Sequence, residues 1–140
     1  MGDIKELLVS KALEARKNAY CPYSRYSVGA AVMGEDGMVY TGCNVENASY
    51  GLTVCAERAA LFKMVSEGCR RFTAIAVATA DDGTDGVPCM ACRQVMCELR
   101  AGGEIPVYDC DPSGRVCTHT LDELAPMPFT LAVPEEEADE

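Results

Sequence analysis

The sequence predicts an α/β domain in which one mixed sheet carries helices on both faces. Three observations point there. Apolar residues recur at helical spacing in some stretches and run alternately or continuously in short others, and the two kinds interleave in the order α, β, β, α, β, α, β, β. The length of 140 residues fits one ordinary domain able to bury its own core.

The first helix is read from Asp3 to Tyr20, where Ile4, Leu7, Leu8, Ala12, Ala15 and Ala19 fall at three- and four-residue intervals and Pro22 ends the run. Two short strands follow, Val28 to Met33 and Met38 to Thr41, joined around Asp36-Gly37, a good hairpin turn. From Cys55 to about Glu67 the residues Ala59, Ala60, Leu61, Met64 and Val65 predict a buried helix closed by Gly68. Phe72 to Ala78 is a nearly continuous apolar strand, and Asp81-Asp82-Gly83 with Asp85-Gly86 is rich in turn residues. A third helix runs from about Cys89 to Arg100, stopped by Gly102-Gly103. Ile105 to Tyr108 and Arg115 to Thr118 complete a five-stranded sheet, and Leu121 to Leu124 is a closing helical turn. Residues 1–133 form a single domain, and the acidic run 134–140 is expected to be a solvated, disordered tail.

Nine cysteines, one histidine and a net charge of −10 narrow the class further. An odd cysteine count cannot all pair, and Asp3, Lys5 and Glu6 stand where a secretory signal needs apolar residues, so the chain is expected to be cytoplasmic with reduced thiols. The start also lacks a myristoylation pattern, and no apolar run approaches the roughly 20 residues that span a bilayer, so no membrane partner is expected. Half of the negative charge comes from Glu135, Glu136, Glu137, Asp139 and Glu140. The rest still disfavours a polynucleotide, whose binding draws on Lys and Arg neutralising phosphates.

Three cysteines stand apart. Cys55-Ala56-Glu57 and Pro88-Cys89-Met90-Ala91-Cys92 each open a helix, where unpaired N–H groups and positive potential favour thiolate. Cys89 and Cys92 share a helix face, and with Cys55 they supply three of the four ligands of a tetrahedral zinc. The paired cysteines alone also fit a structural zinc or a redox motif.

The larger set is more specific. Cys55-Ala56-Glu57-Arg58-Ala59-Ala60-Leu61-Phe62, Pro88-Cys89-Met90-Ala91-Cys92-Arg93-Gln94, the upstream Cys43 to Gly51, and Pro22-Tyr23-Ser24-Arg25-Tyr26-Ser27-Val28-Gly29-Ala30-Ala31 together resemble the small zinc-dependent cytidine deaminases of free nucleosides. The resemblance implies the three-layer cytidine deaminase-like fold, one zinc per subunit on Cys55, Cys89 and Cys92, and a homotetramer with active sites at subunit interfaces. It implies hydrolytic deamination of cytidine and 2′-deoxycytidine by metal-bound hydroxide attacking C4, with Glu57 shuttling protons to N3 and to the departing amino group. Arg58 is implied as the group that draws charge from a ligand sulfur. Asn44 and Glu46 are implied to hydrogen-bond the sugar, Tyr26 and Ala56 to contact the substrate, and Phe129 to stack in a neighbouring subunit's site. Where the family usually has glycine between the paired cysteines, this chain has Met90.

The same residues also admit a deaminase of modified cytosine nucleosides, an RNA- or DNA-editing enzyme, and a non-catalytic module in which zinc serves folding. Retention of Asn44 to Tyr50 and Phe129 favours the ordinary nucleoside, the negative charge disfavours nucleic acid, and a structural site has no use for an unliganded acid such as Glu57. Cys21, Cys43, Cys69, Cys97, Cys110 and Cys117 read as packing or incidental thiols, and His119 as a surface or turn residue. Arg93 reads as a structural or intersubunit partner, and Tyr50 as core packing or an intersubunit contact.

Overall fold

A computed structural model describes residues 2–80 and 86–134. Its elements are α1 (Gly2–Arg16), β1 (Gly29–Gly34), β2 (Val39–Cys43), a 3-10 turn (Tyr50–Leu52), α2 (Ala56–Ser66), β3 (Phe72–Ala78), α3 (Met90–Leu99), β4 (Pro106–Cys110), β5 (Val116–Thr120) and α4 (Leu121–Leu124). The turn-rich stretch read at 81–85 and the acidic run 135–140 lie outside the described residues.

The strands form one mixed sheet in the order β2-β1-β3-β4-β5. β3 and β4 pair in parallel, Ile75 opposite Val107, and α3 makes the crossover between them; the other pairs are antiparallel. Both faces are covered, which is why β1 and β3 read as continuous apolar runs. Ala31, Ala74, Ala76 and Ala78 face α1 through Leu8 and Ala12, while Ala30, Val32, Ile75 and Val77 pack with Ala60, Leu61 and Met64 of α2 and Met96 of α3. These two cores give the three layers.

Gly42 sets the position of α2. A Cβ there would stand 2.5 Å from the Ala60 nitrogen and 2.8 Å from the Ala56 oxygen, so only glycine lets the helix lie this close to β2.

Several boundaries differ from the sequence reading. The first helix ends at Arg16, well before Pro22, because Lys17, Asn18 and Ala19 each bond three residues back in a tightening turn and Tyr20 then bridges Val45. The third helix stops at Leu99, one residue before the Arg100 read from the sequence, since Arg100 leaves it to bridge Phe72. β4 and β5 each run later than read, to Cys110 and Thr120. α2 is not buried all round: Phe62 and Val65 are 49% and 37% exposed and form, with Val95 and Leu99 of α3, an open apolar groove. His119 is not a turn residue but a half-buried member of β5 opposite Val107. All nine cysteines are free thiols, and no described helix is long and apolar enough to cross a membrane.

Candidate active site

The N-termini of α2 and α3 meet at the carboxyl ends of the parallel pair β3 and β4, where open α/β sheets place their ligands. Cys55 and Cys89 are the N-cap residues of the two helices, in extended backbone at φ −71° and −67°. Neither side chain caps its own helix, so both sulfurs are free to point at each other. Cys92 sits one turn into α3 and is buried.

The Cys55 and Cys89 sulfurs are 3.8 Å apart, Cys89 and Cys92 are 3.5 Å apart, and all three lie within 4.8 Å of one another. Zinc–sulfur bonds of about 2.3 Å in a tetrahedron hold their sulfurs about 3.8 Å apart, so the donor set fits Zn²⁺ in chemistry and in spacing. Three protein ligands leave one tetrahedral position for water or substrate, the arrangement of a catalytic rather than a structural site.

Arg58, one turn into α2, reaches back so that its Nη2 lies 3.4 Å from the Cys55 sulfur, while its Nε is buried without a partner among the described residues. Hydrogen bonds from Cys92, Arg58 and Cys89 hold the Cys55 thiol down at about 5. Cys92 keeps its own proton, because its thiol is pushed far up by its bond to Cys55 and by burial. A positive ion is what would stabilise a second negative sulfur beside the Cys55 thiolate at this separation.

Glu57 is 4% exposed, and burial raises its carboxyl to about 7. In mid-helix a residue two positions from Cys55 would face elsewhere, but in the first turn both line one pocket of about 330 Å³. Tyr26, Asn44, Glu46, Ala56 and Cys89 line it too. Asn44 and Glu46 are each 8% exposed while Val45 between them is 47% exposed, the alternation of an extended segment. Backbone bonds in both directions between Val45 and Val54 tie this segment to the residue before Cys55.

Both polar side chains also hold the loop that closes the pocket. Glu46 Oε1 accepts from the Tyr23 and Ser24 amides, each at 3.1 Å, and its Oε2 accepts from the Ser24 hydroxyl. These bonds, the hydroxyl first, keep the Glu46 carboxyl below the usual carboxylate range. Asn44 accepts from the Val28 amide at 2.9 Å and donates to the Tyr26 carbonyl at 2.8 Å. The loop needs such clamping, because Arg25 within it adopts the left-handed φ of 59°.

Phe129 is not brought into this pocket. Its ring is 67% exposed, and its carbonyl accepts from Gln94 Nε2 at 2.9 Å. Arg93 is structural within the chain, donating to the Pro88 carbonyl at 2.7 Å and the Leu124 carbonyl at 2.8 Å. Tyr50 is exposed and meets Tyr23 edge to face, ring centres 6.0 Å apart. The sequence reading did not single out Ser24, Thr53, Thr79 or Gly86 as lining residues. Ser24 carries a local signal, a hydroxyl in a turn-prone stretch; Thr79 and Gly86 flank the end of β3 and carry none that spacing reveals.

Comparison with known proteins agrees with this geometry. The family model for the cytidine and deoxycytidylate deaminase zinc-binding region matches residues 3–107. A cytidine deaminase of Halalkalibacterium halodurans is 51% identical over 126 residues, 90% of this chain and 94% of that protein. One from Mycobacterium tuberculosis is 48% identical, covering 89% of each chain. The crystal structure of cytidine deaminase from Burkholderia pseudomallei superposes with a TM-score of 0.82 at 46% identity, over 89% of this chain and 98% of that one.

Proposed function

The chain belongs to the cytidine and deoxycytidylate deaminase family, and from that premise we propose that it hydrolyses cytidine and 2′-deoxycytidine to uridine and 2′-deoxyuridine with release of ammonia. The observation that carries this reading is the meeting, in one pocket, of a three-sulfur zinc site, a buried unliganded acid and the Asn44–Glu46 segment.

Cys55, Cys89 and Cys92 would hold zinc, which would supply the Lewis acidity that activates water at neutral pH. Arg58 offsets the negative charge of the three sulfurs through Cys55. Glu57 takes one proton of the attacking water and delivers it to N3 of the base as C4 is attacked, then takes the second proton from the oxygen now on C4 and passes it to the amino nitrogen, which leaves as ammonia while the C4 carbonyl forms. Its buried position keeps the carboxyl near the middle of the physiological range, so it can act in both directions. Asn44 and Glu46 serve the sugar while clamping the 23–28 loop; Tyr26 lies beside the base, and Ala56 offers a backbone N–H from the unpaired first turn of α2.

We extend the reading to a cytoplasmic homotetramer in pyrimidine salvage, in which Phe129 leaves its own subunit to stack in a neighbour's site. Its exposure and distance from the pocket of its own chain support that assignment. Residues 1–133 act as one domain, with 134–140 as a solvated tail.

The test is an absorbance assay of cytidine and deoxycytidine with metal analysis of the same preparation. One zinc per chain and loss of the cytosine absorbance are expected. Zinc without deamination of either nucleoside refutes the reading.

A further inference from the structure

The face of β4 that carries Val107 into the core carries, two residues on, a carboxylate in place of an apolar side chain: Asp109 is 0% exposed. Burying a charge on a core face is costly unless it is paired and hydrogen-bonded. Here Arg115, from the start of the returning strand, donates Nη1 to Asp109 Oδ2 at 3.1 Å and Nη2 to Oδ1 at 3.4 Å. Arg115 is itself held by Asp111, whose Oδ2 accepts from Nε at 2.8 Å.

Another contact of Asp109 reaches the candidate active site. The Gly86 amide donates to Asp109 Oδ2 at 3.1 Å across the buried end of the sheet. Gly86 and Val87 line the pocket and lead directly to Cys89. On its other side Gly86 is pressed on Thr79, where a Cβ would fall 2.4 Å from the hydroxyl oxygen and 2.3 Å from the methyl carbon. The far end of the segment is held by Arg93 at the Pro88 carbonyl. A wall of the pocket is thus tethered at two points, and one tether is a buried carboxylate that core packing alone does not call for.

We propose that Asp109, held in place by Arg115, is a positioning residue for this site: by fixing the Gly86 amide it sets the 86–89 wall against the substrate and presents the Cys89 sulfur to zinc. The proposal rests on the zinc deaminase reading above.

The experiment compares Asp109→Leu, which removes charge and acceptor, with Asp109→Asn, which removes the charge and keeps an oxygen for Gly86. Asp111→Ala serves as the stability control, because it removes the partner of the Arg115 Nε and leaves in place both Arg115 bonds to Asp109 and the Asp109 bond to Gly86. Melting temperature, KM and kcat for cytidine, and the rate of zinc loss to a chelator are measured for each. All three variants are expected to melt earlier than the wild type. Only Asp109→Leu is expected to raise KM and to speed zinc loss by about tenfold or more, while the other two stay within about threefold, the scale on which partners beyond the ligands act.

The proposal is overturned if Asp109→Leu keeps KM and zinc retention within that range, or if Asp111→Ala changes them as much. Should Asp109→Leu not fold, the double variant Asp109→Leu with Arg115→Leu removes the buried charge pair together and is held to the same expectation. If that also fails to fold, hydrogen exchange at the Gly86 amide in Asp109→Asn decides. Protection and KM must be kept together or lost together; one changing without the other sinks the idea. A wild type without activity would instead overturn the deaminase reading.

Discussion

The guanidinium of Arg58 lies 3.4 Å from the sulfur of Cys55, one turn below it on the same helix. The cation is thereby built into the element that presents the ligand. Replacing Arg58 with Gln is expected to raise the Cys55 thiol from about 5 toward its ordinary value in metal-free protein. Alkylation rates followed against pH report that midpoint, and an unmoved midpoint contradicts the assignment. With zinc bound, kcat/KM is expected to drop roughly 10- to 100-fold.

Glu57→Gln keeps the size of the side chain and removes its proton-carrying capacity. Zinc content is expected to match the wild type, while kcat falls by roughly 10²- to 10⁴-fold, the worth of a positioned general acid–base. Steady-state kinetics with metal analysis on the same sample separate this from loss of the site. Full activity in the variant would remove Glu57 from the reaction.

Glu46 is held ionised by the Ser24 hydroxyl and the Tyr23 and Ser24 amides, so the pocket wall it forms carries a fixed negative charge. A nucleoside monophosphate brings a second negative charge to the pocket. Its kcat/KM is expected to fall at least about tenfold below that of the nucleoside, a modest figure for juxtaposed like charges. Comparable values for deoxycytidine and its monophosphate would show that Glu46 does not exclude phosphate.

Asp111 gives a pH-dependent prediction remote from the chemistry. Bonds from Ser113 and Arg115 lower its carboxyl from 3.8 to about 2 in the folded chain. A carboxyl lowered on folding contributes stability that is fully present above its unfolded value and is lost as pH falls through the folded one. The melting temperature of the wild type should therefore exceed that of Asp111→Asn by a constant amount above pH 4. The gap should close between about pH 4 and pH 2. A gap that stays constant through that window means the charge of Asp111 is not what stabilises the hairpin.

What could be read from the chain alone followed from how local each feature is. The limits of β3 and α4 were legible because a continuous apolar run and the Thr120 to Glu123 capping box are written in neighbouring residues. The three sulfurs were legible for the same reason, since helix N-termini are marked in sequence and the two motifs need only be brought together. The tether from Asp109 to Gly86 was not, because it spans 23 positions and is made by the tertiary fold. The end of α1 was misjudged when Ala19 was counted with the helical repeat, whereas the bridge of Tyr20 to Val45 takes the chain elsewhere. Val65 reads with the buried helix yet is 37% exposed, because apolar periodicity does not say what covers an apolar face.

Val45 and Val54 exchange backbone bonds in both directions, each at 3.0 Å. They act as a clasp: the chain leaves the pocket at Glu46, makes an excursion through the exposed Tyr50–Leu52 turn, and returns to the pocket at Cys55. Because the clasp sets the separation of those two residues, the length of the excursion does not. Residues 47–52 are therefore the place where this chain can gain or lose residues, and change what its rim meets, without recalibrating the distance between Glu46 and Cys55.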